Sequence, residues 1–185
     1  MSAHLRFLIH CRLGKTLQAL VAIAISHADV QSKNTKKSLV VCPASVVGHW
    51  VNEINRFFPG GALLLPVAYI GASKVRRASW KDCLARCNVI VTSYSVLRTD
   101  VDLLENILFD YCILDEGHLL KNPKTATAKA SRRLRAHHRL ILTGKQQIYT
   151  YSLSNHVFHE RILLKLVFLV RHSCPRQCQR SVGYF

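Results

Sequence analysis

The chain has 185 residues, 49% of them hydrophobic, which excludes a disordered polypeptide and suffices for about one domain with its own core. Lys and Arg outnumber Asp and Glu by 26 to 10, a formal net charge of +16, and this excess favours a polyanionic partner, nucleic acid first. The apolar stretch in "MSAHLRFLIHCR" is too short for a signal peptide, and "ILLKLVFLV" (162–170) is too short to span a bilayer and carries Lys165, so a soluble, intracellular chain with no membrane partner is expected.

The first motif in chain order is Gly14-Lys15-Thr16, the end of a phosphate-binding loop, G-x-x-x-x-G-K-[ST]. Ile9 stands at the first glycine position, and Arg12 stands where many such loops carry another glycine. Leu17, Leu20, Val21, Ala24 and Ile25 then recur at helical spacing. "DVQSKNTKK" predicts a polar surface loop, and "SLVVCP" (38–43) a buried strand closed by Pro43. In "SVVGHWVNEINRFF" the residues Val46, Val47, Trp50, Val51, Ile54 and Phe57 share one helical face, with Ser45 as a candidate cap and "PGG" (59–61) as the stop.

"LLLPVAYI" reads as a strand that Pro66 confines to an edge or bend. "SKVRRASWKDCLARC" predicts one basic helix, "NVIVTSY" (88–94) a buried strand, and "DVDLLENI" a short helix. "DYCILDE" (110–116) is an apolar run ending in two carboxylates. "KTATAKASRRLRA" predicts a helix with basic residues toward its C-terminal end, and "HRLILTG" (138–144) a last strand. After Gly144 no βα rhythm is visible, although residues 161–170 suit a short buried helix or strand.

Seven cysteines, some inside apolar runs (Cys42, Cys112), suit buried free thiols in a reducing compartment. The pairs Cys83-x3-Cys87 and Cys174-x3-Cys178 invite a zinc reading, but the first lies in a helical pattern with no finger-like partner spacing behind it.

Alternating strands and helices predict an α/β fold with a mainly parallel central sheet, in which ligands sit outside the C-terminal strand ends. "VVCP", "VTSY", "ILDE" and "LTG" all bring polar residues to that edge. Asp115, ending a buried strand, can hold Mg2+, largely through water, and Glu116 can orient or deprotonate the water that attacks a γ-phosphate. Lys15 would reach the β- and γ-phosphates of ATP, Thr16 would ligate the Mg2+, and the amides around Gly14 would cradle phosphate oxygens. Taken singly, Asp115-Glu116 also reads as a solvated strand end, His118 as a surface histidine, and Ser93-Tyr94 and Thr143-Gly144 as plain turns.

The ordered set "GKT", "LVVCPASVVGHW", "VTSY", "ILDEGHLLKN" and "LTG" resembles the Swi/Snf-type helicase-like ATPases of superfamily two, a nuclear family. "GHWVNEI" and "FDYCILDEGHLLKN" are most similar to its branch that acts on TATA-binding protein. The resemblance runs from about Leu13 to Gly144. It implies the first RecA-like lobe, a P-loop three-layer sandwich incomplete at both ends, with residues 145–185 an unmatched basic tail and no second lobe following. By resemblance, Lys15 and Thr16 match the Walker A pair, and Asp115 and Glu116 the Walker B pair, with His118 completing that box. Pro43, Ala44 and Ser45, then Thr92, Ser93 and Tyr94, match segments that face double-stranded DNA. Thr143 and Gly144 match the start of the motif that couples hydrolysis to DNA movement.

The family writes its loop D-x-G-x-G-K-T, where this chain has His10 and Arg12, and continues Thr-Gly with Thr-Pro, where this chain has Lys145 and Gln146. The expectation is therefore an ATP- and DNA-binding lobe of a transcription or chromatin-remodelling translocase, with impaired hydrolysis. A non-catalytic basic nucleic-acid-binding module on the same fold is the alternative. A small P-loop kinase is a third reading, disfavoured by "DEGH" and by the lack of an acceptor-binding lid.

Overall fold

The computed structural model describes residues 6–7, 14–28, 36–61, 63–142 and 148–152, the side chains of 6–7 and 148–152 excepted. The elements are β1 (Arg6–Phe7), α1 (Lys15–Ala28), β2 (Ser38–Cys42), α2 (Val47–Phe57), β3 (Pro66–Tyr69), α3 (Ser73–Ala78), α4 (Trp80–Arg86), β4 (Val89–Ser93), α5 (Tyr94–Leu104), β5 (Leu108–Leu114), α6 (Ala126–Arg133), β6 (Arg135–Leu142) and β7 (Ile148–Ser152). They form one sheet in the order β1-β7-β6-β5-β2-β4-β3. The five strands from β3 to β6 are parallel, while β7 pairs antiparallel with β6 and β1 antiparallel with β7.

The central strands are apolar throughout because helices cover both of their faces. On one face, Ala19, Leu20 and Ile23 of α1 and Val47, Trp50 and Ile54 of α2 pack on Val40, Val91, Tyr111, Ile113 and Leu140. On the other, Trp80 of α4, Leu97, Val101 and Leu104 of α5 and Ala130 of α6 pack on Leu39, Val41, Ile90, Phe109 and Cys112. The strands alternate between the two clusters residue by residue, as a pleated sheet requires. This is the three-layer α/β/α architecture that the alternating pattern predicts.

Local outcomes differ from the sequence reading in several places, among them Arg135 and Ala136, expected in the helix of "KTATAKASRRLRA" but beginning β6 instead. The basic helix expected over 73–87 is two helices, broken at Ser79. Ser45 does not cap α2; a 3-10 turn over Ala44–Val46 leads into that helix, and its cap residue Val46 makes no side-chain bond. The helix expected over 100–107 begins at Tyr94, because the Ser93 hydroxyl accepts from the Val96 N–H and caps it directly after β4. The sheet also continues past Gly144 through β7, a pairing with no βα rhythm to announce it. Pro66 does begin the edge strand β3. Gly60 and Gly61, which follow α2, have φ of 73° and 66°, and a Cβ on Gly61 would lie 2.7 Å from Leu65 Cδ1, so this stop requires glycine.

One buried ionic cluster fastens α3 to α5. Asp100, fully buried at a kink in α5, accepts from Arg76 Nε (2.7 Å), from the Tyr69 hydroxyl (2.9 Å) and from Arg77 Nη1 (3.2 Å). Burial alone would push the Asp100 carboxyl up, but the bonds from Arg76 and Tyr69 and the neighbouring positive charge outweigh it and hold it below the usual carboxylate range. A depressed folded-state pKa contributes stability above the unfolded value, near pH 4, and loses it as the pH falls further. Chemical denaturation should therefore show wild-type stability declining below about pH 4, and Asp100→Ala costing roughly 3–5 kcal/mol at neutral pH by stranding Arg76.

Candidate nucleotide site

The register puts the strand ends level. Cys42 pairs with Ser93, and Val41 pairs with both Thr92 and Leu114, while Leu114 pairs with Ile141. Each strand thus delivers its next residues, Pro43, Tyr94 and Asp115, to one edge of the sheet.

The direction of α1 follows from its other end. His27 Nε2 lies 3.0 Å from Ser38 Oγ and 3.9 Å from Asp110 Oδ2, and Lys36 Nζ donates to the Ser26 carbonyl at 2.7 Å. The C-terminus of α1 therefore sits where β2 and β5 begin. Its 14 residues span about 21 Å, close to the length of the seven-residue β5. Packed along the sheet, α1 brings Lys15 and Thr16 back to the edge where Asp115 stands. Both side chains are half-buried, and the Gly14 carbonyl accepts the Leu17 N–H at 3.0 Å to open the helix. A Cβ on Gly14 would meet nothing within 4 Å, so the surrounding fold does not itself demand glycine there.

Asp115 is held at every polar atom. Its N–H donates to the Val41 carbonyl (2.8 Å), and its carbonyl accepts the Tyr94 hydroxyl (2.6 Å). Oδ1 accepts the Glu116 N–H (2.9 Å), and Oδ2 accepts the Trp50 indole N–H (2.9 Å). Each carboxylate oxygen has about two acceptor positions, so each keeps one for a metal or its water. A carboxylate fixed but not saturated, on the sheet edge toward which the N-terminus of α1 points, is a donor set that fits a Mg2+–nucleotide.

Glu116 has φ 54° and ψ 50°, the only left-handed non-glycine among the described residues. Its carboxylate meets His118, whose Nδ1 lies 3.0 Å from Glu116 Oε2 at the surface. Burial, then the Asp115 charge, pushes the Cys42 thiol up to about 12 and raises the Tyr94 phenol above its ordinary range. Both stay protonated at neutral pH.

The residues expected to face DNA fall into two groups. Ala44 and Ser45 are exposed and Pro43 is half-buried on the rim of the edge. Thr92 and Ser93 are buried, the Thr92 hydroxyl donating to the Tyr69 carbonyl and Ser93 capping α5, and Tyr94 is largely buried against Asp115. His10, Arg12, Thr143, Gly144 and the tail segment 161–170 lie outside the described residues. Trp50 reads from sequence as one more apolar residue on the α2 face. Its N–H was the available signal, since a buried indole needs an acceptor.

A mainly parallel sheet between two helical layers, with an acidic strand end at its C-terminal edge, defines a RecA-like α/β domain. The SNF2-related domain family matches residues 11–145, and the chain belongs to that family. It is 42% identical over 136 residues to TATA-binding protein-associated factor BTAF1 of Arabidopsis thaliana, covering 71% of this chain and 7% of that protein. It is 41% identical over 141 residues to the human TATA-binding protein-associated factor 172, covering 71% of this chain and 8% of that one. The chain thus spans less than a tenth of these relatives. Among solved structures, the Sulfolobus solfataricus SWI2/SNF2 ATPase core in complex with dsDNA superposes with a TM-score of 0.60 at 31% identity, covering 72% of this chain and 26% of that one.

The strained Glu116 backbone yields a prediction independent of any ligand. Glu116→Gly should leave stability within about 1 kcal/mol of wild type, relief at positive φ offsetting the added chain entropy. Glu116→Val, β-branched at the same φ, should cost about 1–2 kcal/mol. Urea melts of the three proteins decide this, and equal midpoints for Gly and Val would mean that the turn carries no strain.

Proposed function

We propose that this chain is the ATP- and DNA-binding first lobe of a Swi/Snf-type translocase working in transcription or chromatin remodelling in the nucleus. The observation that carries the reading is the fixed Asp115 carboxylate, pinned by Trp50 at the sheet edge to which α1 returns Lys15 and Thr16. In this reading Lys15 neutralises the β- and γ-phosphates, Thr16 and Asp115 hold Mg2+, partly through water, and Glu116 orients the attacking water, with His118 holding its carboxylate. Bound Mg2+–ATP supplies the phosphoryl group and the electrophilic metal.

Pro43, Ala44 and Ser45 track the backbone of double-stranded DNA from the rim, beside the site. Thr92, Ser93 and Tyr94, buried at the end of β4 and the start of α5, support that DNA-facing edge from within. TATA-binding protein is a partner of the larger assembly to which such a lobe belongs, a reading supported by the names of the relatives.

Hydrolysis by this lobe alone is slow. Arg12, in place of a loop glycine, adds bulk where backbone must approach phosphate. That same substitution favours the second reading, a non-catalytic basic module that has kept the fold.

Titration with a fluorescent ATP analogue, with Mg2+ and with EDTA, tests the site. Binding should require Mg2+ for full affinity and fall about tenfold or more in Lys15→Ala. Trp50→Phe should lose about three- to tenfold in the presence of Mg2+ and nothing in EDTA, because it frees the carboxylate without touching the phosphate contacts. Arg12→Gly should tighten binding by roughly five- to thirtyfold. No binding by any of these proteins would leave the non-catalytic module as the reading.

DNA binding is tested separately. Affinity for duplex DNA should fall steeply as salt rises, since each lysine or arginine on a phosphate displaces counterions. Equal affinity at about 50 mM and 200 mM salt would remove DNA from the proposal.

A further inference from the structure

The sheet edge opposite the nucleotide site carries a pair of thiols that the proposed function leaves unused. Cys83 lies in the last turn of α4, half-buried, and Cys87 follows as the residue that ends the helix, buried. They stand four residues apart, Cys83 within the last turn and Cys87 just beyond it. Lys37, just before β2, reaches this turn. Its Nζ donates to the Leu84 carbonyl at 2.6 Å and to the Cys87 carbonyl. A helix C-terminus ordinarily disfavours a thiolate, because its free carbonyls are negative. Here a fixed ammonium occupies those carbonyls and reverses the local sign.

We propose that Cys83 and Cys87 form an oxidisable dithiol, with Cys83 the thiol attacked by hydroperoxides and Cys87 the thiol that resolves it into a disulfide. The spacing supports this. Cβ atoms four apart on a helix lie about 5–6 Å apart, against roughly 3.5–4.5 Å in a disulfide. Cys87 has already left the helix, with φ −127° and ψ 160°, so its own dihedrals can close the remaining 1–2 Å or so without breaking the helical ladder.

The environments separate the two roles. The neighbouring Cys87 thiol, with the Lys37 charge, lowers the Cys83 thiol against the opposing effect of burial. The Cys83 side chain, together with burial, raises Cys87 and keeps it protonated. By contrast, Cys42 and Cys112 are fully buried and pushed up to about 12, chiefly by desolvation, so they are inert thiols.

The chemistry balances with one hydroperoxide as oxidant. The Cys83 thiolate attacks one peroxide oxygen, the O–O bond breaks, and the leaving hydroxide takes a proton to become water, or alcohol from an organic peroxide. Cys83 is then a sulfenic acid. The Cys87 sulfur attacks the Cys83 sulfur, the S–O bond breaks, and a water leaves with the thiol proton. Two thiols are oxidised by two electrons, and the peroxide is reduced.

Trypsin cleavage after Lys81 and Arg86 puts the two thiols on separate peptides, 82–86 and 87–98. The full-length chain, treated with hydrogen peroxide, blocked with an alkylating agent and digested without reductant, should yield these two peptides joined and two mass units lighter than their sum. In Cys87→Ser the sulfenic acid should persist on Cys83 and be trapped by dimedone. In Cys83→Ser neither the linked pair nor a dimedone adduct on Cys87 should form. Native alkylation should label Cys83 about tenfold or more faster than Cys42 or Cys112. Cys83 linked mainly to another cysteine, oxidised past the sulfenic stage with no link to Cys87, or no more reactive than Cys112, would overturn the proposal. So would protection of both thiols by stoichiometric zinc added alone, which would make the pair a metal ligand instead.

Discussion

The site rests on how one carboxylate is held. Asp115 sits where β5 runs out of sheet, and four groups from four places fix it: the Val41 carbonyl from the neighbouring strand, the Tyr94 hydroxyl from α5, the Glu116 N–H beside it and the Trp50 indole from α2. A carboxylate so bound has few rotamers left to lose when a cation arrives, so it meets a metal already oriented. The same contacts make the surrounding elements interdependent. The β2–β5 pairing, the docking of α2 on one face and the start of α5 on the other all converge on one residue.

The opposite sheet edge does complementary work. His27, Ser38 and Lys36 pin the end of α1 beside the start of β2, and helix length then decides where α1 begins. Placement of Lys15 and Thr16 is thus a consequence of a packed helix matched in length to the strands. The Asp100 cluster similarly fastens α3 to α5 under the edge strand β3. The basic excess of the sequence is partly spent inside the fold: Arg76 and Arg77 hold Asp100, and Lys37 holds the end of α4.

Much of this was legible in the residues. β2, β4 and β5 stand out because strands buried on both faces are near-continuous apolar runs, only the end of β6 does so, and Pro66 marks the edge because proline cannot serve a central ladder. Asp115-Glu116 is visible as the polar end of such a run. What was hidden depends on contacts distant in sequence. The helical period of 73–87 runs through Ser79, so nothing local announces the break between α3 and α4. Trp50 looks apolar because its one polar atom finds its acceptor 65 residues away. The left-handed turn at Glu116 has no glycine to mark it, and Thr92 and Ser93 look like surface hydroxyls until Tyr69 and Val96 take them up. The fold class was readable, and the long-range contacts that hold Asp115 were not.

The central claim is that Asp115 is the metal end of a nucleotide site whose phosphate end is Lys15. Paramagnetic resonance of Mn2+, titrated into the full chain with a non-hydrolysable ATP analogue, tests it directly. The account predicts one tightly bound Mn2+ per chain that appears only with nucleotide and is lost in Asp115→Asn. Mn2+ bound equally well by wild type and Asp115→Asn, or bound without nucleotide, would contradict it.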